Sequence, residues 1–278
     1  MFSENIQNEK EKQFHLLHHN EELLILPNIW DPLGAKLLED VGYKAVATAS
    51  ASIAYTNGMD DGEKITFDEV IQILKKIVNS VKIPVTADIE SGYAPNNSIL
   101  KENIKKLIDI GISGINFEDS NHREQNLFSK EEQSEKINLI RKIASENGSN
   151  LFINARTDVF IQKNYSTKEE KISEAIERGN LYKDAGADGF YPILLVEKDS
   201  IEILIREVGL PVNVLMLPGI PDFNTLKKIG VARISLGPGF LKTALHAMKH
   251  VSEKLLHFEG MEEITMNTLT SDYIKKLI

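Results

Sequence analysis

The sequence predicts a (β/α)8 TIM barrel of the α/β class, and three observations carry that expectation. Short, continuous, β-branched apolar runs alternate with longer segments whose apolar residues recur at helical spacing. The short runs number eight and lie roughly 20 to 40 residues apart, the length of a strand plus a crossover helix. No Gly-rich phosphate turn follows the first run, where Pro27-Asn28-Ile29-Trp30 stands, so a doubly wound open sheet ranks second.

Taken in order, residues 1–22 predict an extra helix capping the barrel bottom. The strand candidates are Leu23–Leu26, Ala45–Ala49, Val85–Ile89, Gly114–Glu118, Leu151–Ala155, Gly189–Leu194, Val212–Leu217 and Arg233–Leu236. Asp31-Pro32 supplies an N-cap and a first-turn proline, and Gly42 closes that helix. The stretches beginning at Thr66, Ser129 and Thr167 each place Glu three residues on, the capping-box pattern. Gly111, Gly148, Gly186, Gly209 and Gly230 follow other helical runs, where a left-handed residue is wanted. Residues 259–278 form a tail beyond the eighth helix. Its apolar residues, among them Ile264, Met266, Leu269 and Ile274, have no place on a complete barrel, so a neighbouring subunit is expected to cover them. No linker interrupts residues 1–278, which read as one barrel domain.

Composition bounds the function. Lys and Arg total 32 against 41 Asp and Glu, a formal net charge of −9, with no basic cluster of the kind that phosphate backbones require. No nucleic-acid partner is expected. The absence of cysteine excludes disulfides, thiolate zinc sites, iron–sulfur clusters and a cysteine acid or nucleophile, and it fits a cytoplasmic location. Glu4, Glu9, Lys10, Glu11 and Lys12 stand within the first 22 positions, where a signal peptide needs an apolar core, and no window of 18 apolar residues exists to span a membrane.

In a barrel of this kind chemistry collects where strands end and βα loops begin. The second strand leads into a polar loop containing Asp61. The third ends Asp88-Ile89-Glu90, the fourth Glu118-Asp119, and the fifth Asn154-Ala155-Arg156-Thr157-Asp158. Alternation puts Asp88 and Glu90 on one strand face, and Asn154, Arg156 and Asp158 on another. Turned inward, Asp61, Asp88, Glu90 and Glu118 converge near one arginine, and such carboxylates need a cation among them. Oxygen ligands favour Mg2+ or Mn2+ over zinc. Arg156 suits a carboxylate or phosphonate on a substrate. Asp119 should face away from Glu118 and be structural, and Asp158 should hold Arg156.

The histidines divide by position. His15, His18 and His19 precede the first strand and read as a partly exposed helix face. His122 alone lies in a loop at the mouth, where it is either an acid or base or an exposed residue without a role. Gly237-Pro238-Gly239 fits an anion-holding loop and a tight turn equally well.

Three motifs, Ala87-Asp88-Ile89-Glu90-Ser91-Gly92-Tyr93, Gly114-Ile115-Asn116-Phe117-Glu118-Asp119-Ser120 and Ile153-Asn154-Ala155-Arg156-Thr157-Asp158, in this order, resemble the phosphoenolpyruvate mutase/isocitrate lyase superfamily, in its carboxyvinyl-carboxyphosphonate phosphorylmutase-like branch. The resemblance runs from about Leu26 to Leu245. It implies a barrel whose C-terminal helix is swapped between subunits, usually as a dimer of dimers. It implies Mg2+ or Mn2+ held by Asp61, Asp88, Glu90 and Glu118, and an oxyacid substrate that passes through a metal-bound enolate. By the same match Arg156 binds the substrate, the Ser50–Ala51 backbone meets its carboxylate, Asp61 stands near it, and Trp30 packs over the site.

The departures are informative. The isocitrate-cleaving branch carries a Lys-Lys-Cys-Gly-His loop after the fourth strand, with the cysteine as acid. Ser120-Asn121-His122-Arg123-Glu124-Gln125-Asn126-Leu127 stands there instead. The mutase branch carries a Lys and an Asn in that loop; Asn126 matches the Asn, and no Lys lies between Glu118 and Lys130. The expected activity is therefore Mg2+-dependent C–C cleavage, lyase or decarboxylase in type, on a small 2-oxo or 2-hydroxy acid. Glu118, His122, Asn126 and Arg156 are its catalytic candidates. Phosphonate P–C chemistry and a non-catalytic oxyacid-binding barrel are the alternatives. The loop Ser120–Ser129 is expected to act as a mobile gate.

Overall fold

The computed structural model describes residues 2–278, in which eight parallel strand positions close into a barrel. The first position is split: β1 (Leu24–Leu26) pairs with β11 (Arg233–Ser235), and β2 (Asn28–Ile29) pairs with β3 (Val46–Thr48). Pro27 lies at the switch, where its lack of an N–H costs no ladder bond. Around the ring follow β4 (Val85–Asp88), β5 (Gly114–Glu118), then β8 (Phe152–Thr157), β9 (Gly189–Pro192) and β10 (Asn213–Leu215). A parallel bridge between Phe190 and Val212 joins β9 to the β10 side, and β10 pairs with β11. The Asn28 amide stitches the first position to both neighbours. It donates to the Thr48 carbonyl at 2.8 Å and accepts from the Leu236 and Gly237 N–H groups at 2.8 and 3.1 Å.

Helices α2 (Pro32–Val41), α3 (Ser50–Thr56), α4 (Phe67–Ser80), α5 (Asn97–Asp109), α6 (Lys130–Glu146), α7 (Lys168–Asp184), α8 (Lys198–Val208) and α9 (Phe223–Lys228) connect the strands. The capping boxes at Thr66/Glu69 and Thr167/Glu170 form reciprocally. That at Ser129 is half made: its hydroxyl accepts from Glu132 N–H, while the Glu132 carboxylate turns to Lys136 at 3.4 Å.

The N-terminal mouth is closed by α1 (Phe2–Leu17). Its Phe14 is buried with Leu26, Ala45, Ala47 and Phe152, edge-on to the Phe152 ring at 5.3 Å. A Cβ on Gly114 would come within 2.7 Å of Phe14, so this close approach requires glycine there. The face bearing His15, His18 and His19 is partly exposed, and His18 lies on its inner edge. It is buried and stacks on Phe152 at 4.1 Å, because the helix turns the Phe14–His18 edge into the barrel.

The C-terminal region contrasts with this packing. Of α10 (Gly239–Leu256), only Leu241 is buried, while Leu245, Met248, Leu255 and Leu256 are exposed. Two short helices follow, α11 (Met261–Thr265) and α12 (Ser271–Leu277). The Tyr273 hydroxyl donates to Asp40 on α2 at 2.7 Å, yet Phe258, Met261, Ile264, Met266 and Leu269 lie open to solvent. Among the described residues no helix is long and apolar enough to cross a membrane.

Candidate active site

The polar residues singled out in the sequence gather at the C-terminal ends of five consecutive strands. Trp30 follows β2, Ser50 and Ala51 follow β3, Asp88 ends β4, Glu118 ends β5, and Arg156 lies in β8 directly opposite Glu118 in the strand register. Arg156 bridges two carboxylates. Its Nη1 lies 2.7 Å from Glu118 Oε2, and its Nε and Nη2 donate to Asp158 at 2.6 and 2.9 Å. Asp158 also accepts from the Ser120 hydroxyl at 2.6 Å.

Asp88 accepts only from the Glu90 N–H, at 3.3 Å, and forms no ion pair among the described residues. Glu90 lies past the end of β4 with φ +49°, so a left-handed backbone sets its direction rather than the alternation of the strand. Glu63 and Tyr93 are left-handed too, with φ +57° and +53°. Such backbone costs on the order of 1–3 kcal/mol per residue and persists where surroundings enforce it. Here the three residues enforce one another. Glu63 N–H and the Tyr93 hydroxyl donate to the two Glu90 oxygens at 2.7 and 2.6 Å, while Glu63 accepts from Tyr93 N–H and the Ser91 hydroxyl, each at 2.7 Å. Glu63 and Tyr93 are site residues that sequence reasoning left unassigned; their presence in the polar loops was visible, but the backbone that interlocks them was not.

The loop after β5 is a two-stranded antiparallel hairpin, β6 (Ser120–Asn121) and β7 (Asn126–Leu127). Its turn is built by Asn121, whose side chain accepts from Arg123 and Glu124 N–H and whose carbonyl accepts from Gln125 N–H. The turn delivers His122 into the mouth rather than leaving it exposed. Its Nε2 stands 2.9 Å from Glu118 Oε1 and 3.4 Å from Glu90 Oε2. Asn126 is exposed on the outer arm and contacts Glu124 at 3.3 Å. A groove of about 260 Å3 runs over this region, lined by Asp61, Lys64, His122, Asn126 and Gln162 among others.

Behind Glu118, Asp119 points the other way and is wholly buried. It accepts from Thr157, Tyr182, Arg178 and the Asp158 N–H, and so anchors the segment that carries Arg156 and Asp158. Deeper in the barrel Arg233, also unassigned from the sequence, is completely buried among Asn116, Ser235 and Asn213, with Nη1 unpartnered. Its only signal was a charge at the head of an apolar strand.

The electrostatics are one-sided. Burial and the neighbouring Asp61 charge push the Glu90 carboxyl up to about 7. Burial pushes Glu118 up to about 8 against the opposing pull of Arg156. Burial alone would lower His122, but Glu118 and Glu90 outweigh it and lift the imidazole to about 9. One arginine, already shared with Asp158, pulls on Glu118 and Asp88, while Asp61 adds negative charge beside Asp88 and Glu90. The donor set thus fits a divalent cation: it is rich in oxygen ligands, and two of its carboxylates are held rigidly. Glu90, Glu118 and His122 each offer a ligand atom, and these three atoms lie within 4.8 Å of one another.

The sequence profile of phosphoenolpyruvate phosphomutase matches residues 14–256. An uncharacterized protein of Mycobacterium tuberculosis is 30% identical over 239 residues, covering 86% of this chain and 87% of that protein. The 2-methylisocitrate lyase of Halalkalibacterium halodurans is 26% identical, over 92% of this chain and 85% of its own. Among solved structures, one from Burkholderia cenocepacia J2315, described as a candidate phosphonomutase, is 36% identical with a TM-score of 0.84, covering 88% of this chain and all of that one.

Proposed function

Because the chain belongs to the phosphoenolpyruvate phosphomutase family, we propose that it is a cytoplasmic, Mg2+- or Mn2+-dependent enzyme that cleaves a carbon–carbon bond in a small 2-oxo or 2-hydroxy acid through an enolate, in the manner of a lyase or decarboxylase. The observation that carries this reading is the arrangement at the mouth of the barrel: one guanidinium, Arg156, oriented by Asp158 and Glu118 with Asp88 close by, and Glu90 and Asp61 beside Asp88. Asp88, Glu90 and Glu118, with Asp61 at the rim, would hold the cation. A divalent cation bound there supplies Lewis-acid stabilisation of negative charge developing on substrate oxygens.

The chain's own residues do the positioning. Arg156 spends three of its five N–H groups on Glu118 and Asp158, which fixes its plane and leaves two for the acid group of a substrate. The backbone at Ser50–Ala51 meets the substrate carboxylate, and Trp30, half-buried at the end of β2, covers the site from the neighbouring strand. Asn126 on the hairpin's outer arm is a neutral donor for a departing group. The hairpin closes over the mouth and keeps water from the enolate.

The test is a panel of 2-oxo acids, 2-hydroxy acids and phosphonates, assayed for pyruvate release with Mg2+. Turnover of an oxo or hydroxy acid is expected. Turnover of phosphonates alone moves the activity to P–C chemistry, the reading supported by the Burkholderia relative. Binding of oxyacids without turnover of any makes the protein a binding barrel.

We further propose that residues 1–278 form one barrel domain working as a dimer of dimers, with α10 and residues 259–278 packed on a neighbouring subunit. The exposed apolar side chains of α10 and the tail support this.

A further inference from the structure

The hairpin places an imidazole where an all-carboxylate cation site would have none. His122 Nε2 lies 2.9 Å from Glu118 Oε1 and 3.4 Å from Glu90 Oε2. Two ligands about 2.1 Å from one cation and at right angles to each other lie about 3.0 Å apart, so these separations match neighbouring ligands of a single ion. The nitrogen is buried and makes no well-formed hydrogen bond, although it faces two carboxylates. Its position is imposed from three sides. The Asn121-built turn fixes the backbone of the arm, Glu90 is clamped by Tyr93 and Glu63, and Glu118 is held by Arg156. On the opposite side the ring's Nδ1 packs over Gly62, where a Cβ would stand 3.5 Å away.

We infer that His122 Nε2 is a direct ligand of the divalent cation, beside Glu90 and Glu118, and that it turns the site's preference from Mg2+ toward Mn2+ and later first-row ions. This rests on the reading above that a divalent cation occupies the mouth. Mg2+ is a hard ion that takes oxygen ligands, whereas imidazole suits the transition metals, whose affinities rise along the first row. An oxygen-only cluster gives a weaker bias of this kind. The hairpin is then an arm that brings the nitrogen to the ion, which couples the order of residues 120–127 to metal occupancy.

The test is pulsed electron paramagnetic resonance of the full-length protein loaded with Mn2+ alone, together with calorimetric titration of Mn2+ and Mg2+. The wild type should show 14N coupling from a directly bound imidazole. H122Q should lose that coupling and lower the ratio of Mn2+ to Mg2+ affinity, on the order of tenfold. Protein labelled with 15N-histidine gives a second route that needs no substitution: the 14N signal should be replaced by its 15N counterpart. Mn2+ binding without nitrogen coupling overturns the ligand assignment while leaving an all-oxygen metal site intact. Failure of the wild type to bind either ion overturns both.

Discussion

Arg156 lays its Nε and Nη2 along the two oxygens of Asp158, at 2.6 and 2.9 Å, before any substrate arrives. The fork is aimed in advance, and Asp119 holds the aiming residue by accepting the Asp158 N–H at 2.8 Å. Lysine cannot reproduce this geometry, because an ammonium is a point charge without a planar fork. Arg156→Lys should therefore weaken oxalate binding, measured calorimetrically with Mg2+ present, by about 1–3 kcal/mol although the charge is kept. Equal affinity in the variant would show that the guanidinium plane is not used on the ligand.

The absence of a thiol in the hairpin bears on chemistry. In the position of the lyase branch's acid stands a segment with no cysteine. Purified protein should release neither glyoxylate from isocitrate nor pyruvate from 2-methylisocitrate, despite its likeness to a 2-methylisocitrate lyase. Succinate, glyoxylate or pyruvate accumulating from either acid at enzymatic rates would mean that another group replaces the cysteine.

His18 gives the stability a titratable component remote from the mouth. Burial, reinforced by the nearby Arg233 charge, holds its imidazole well below the usual 6.5, so the folded protein keeps it neutral. Below that value the unfolded chain binds a proton that the folded state refuses, and stability falls as pH drops. The contribution is complete above about 6.5 and is lost below it. His18→Phe keeps a ring against Phe152 and removes the proton. The melting temperature of the variant should gain on the wild type as pH is lowered from about 7 to about 5. A difference that stays constant with pH would contradict a neutral, buried His18.

The fold was legible because its signals are local. Gly114–Glu118 forms the strand the sequence predicts, and other strands differ by a few residues at their ends; the one predicted to reach Ile89 stops at Asp88, just before the left-handed Glu90. Asp88, Glu118 and Arg156 were legible as polar residues ending apolar strands. What could not be read depends on tertiary packing. The spacing of His15, His18 and His19 says nothing of which edge of α1 meets Phe152. The Glu63–Glu90–Tyr93 interlock needs three left-handed residues that no propensity favours. The inward turn of His122 follows from a hairpin whose strands are only two residues each, too short for any periodicity to mark.

The exposed apolar surface of α10 and the tail makes a prediction about assembly. Phe258 is fully exposed and Leu256 is 78% exposed, an arrangement that water penalises over so many neighbouring side chains. Light scattering at micromolar protein should give the mass of an oligomer, with a tetramer expected, and removal of residues 259–278 should lower it. A monomer at that concentration would leave this surface without a partner of its own kind.

Calorimetric titration of oxalate into the protein, with Mg2+ and after treatment with a chelator, asks whether a cation and Arg156 hold an acid together. With a divalent cation among Asp88, Glu90 and Glu118 and an acid group on Arg156, oxalate should bind only when metal is present. Asp88→Ala should abolish that metal-dependent binding while the protein stays folded, since Asp88 stands at the mouth and carries little of the core. Oxalate affinity that is the same with and without metal, or unchanged in Asp88→Ala, would contradict the account.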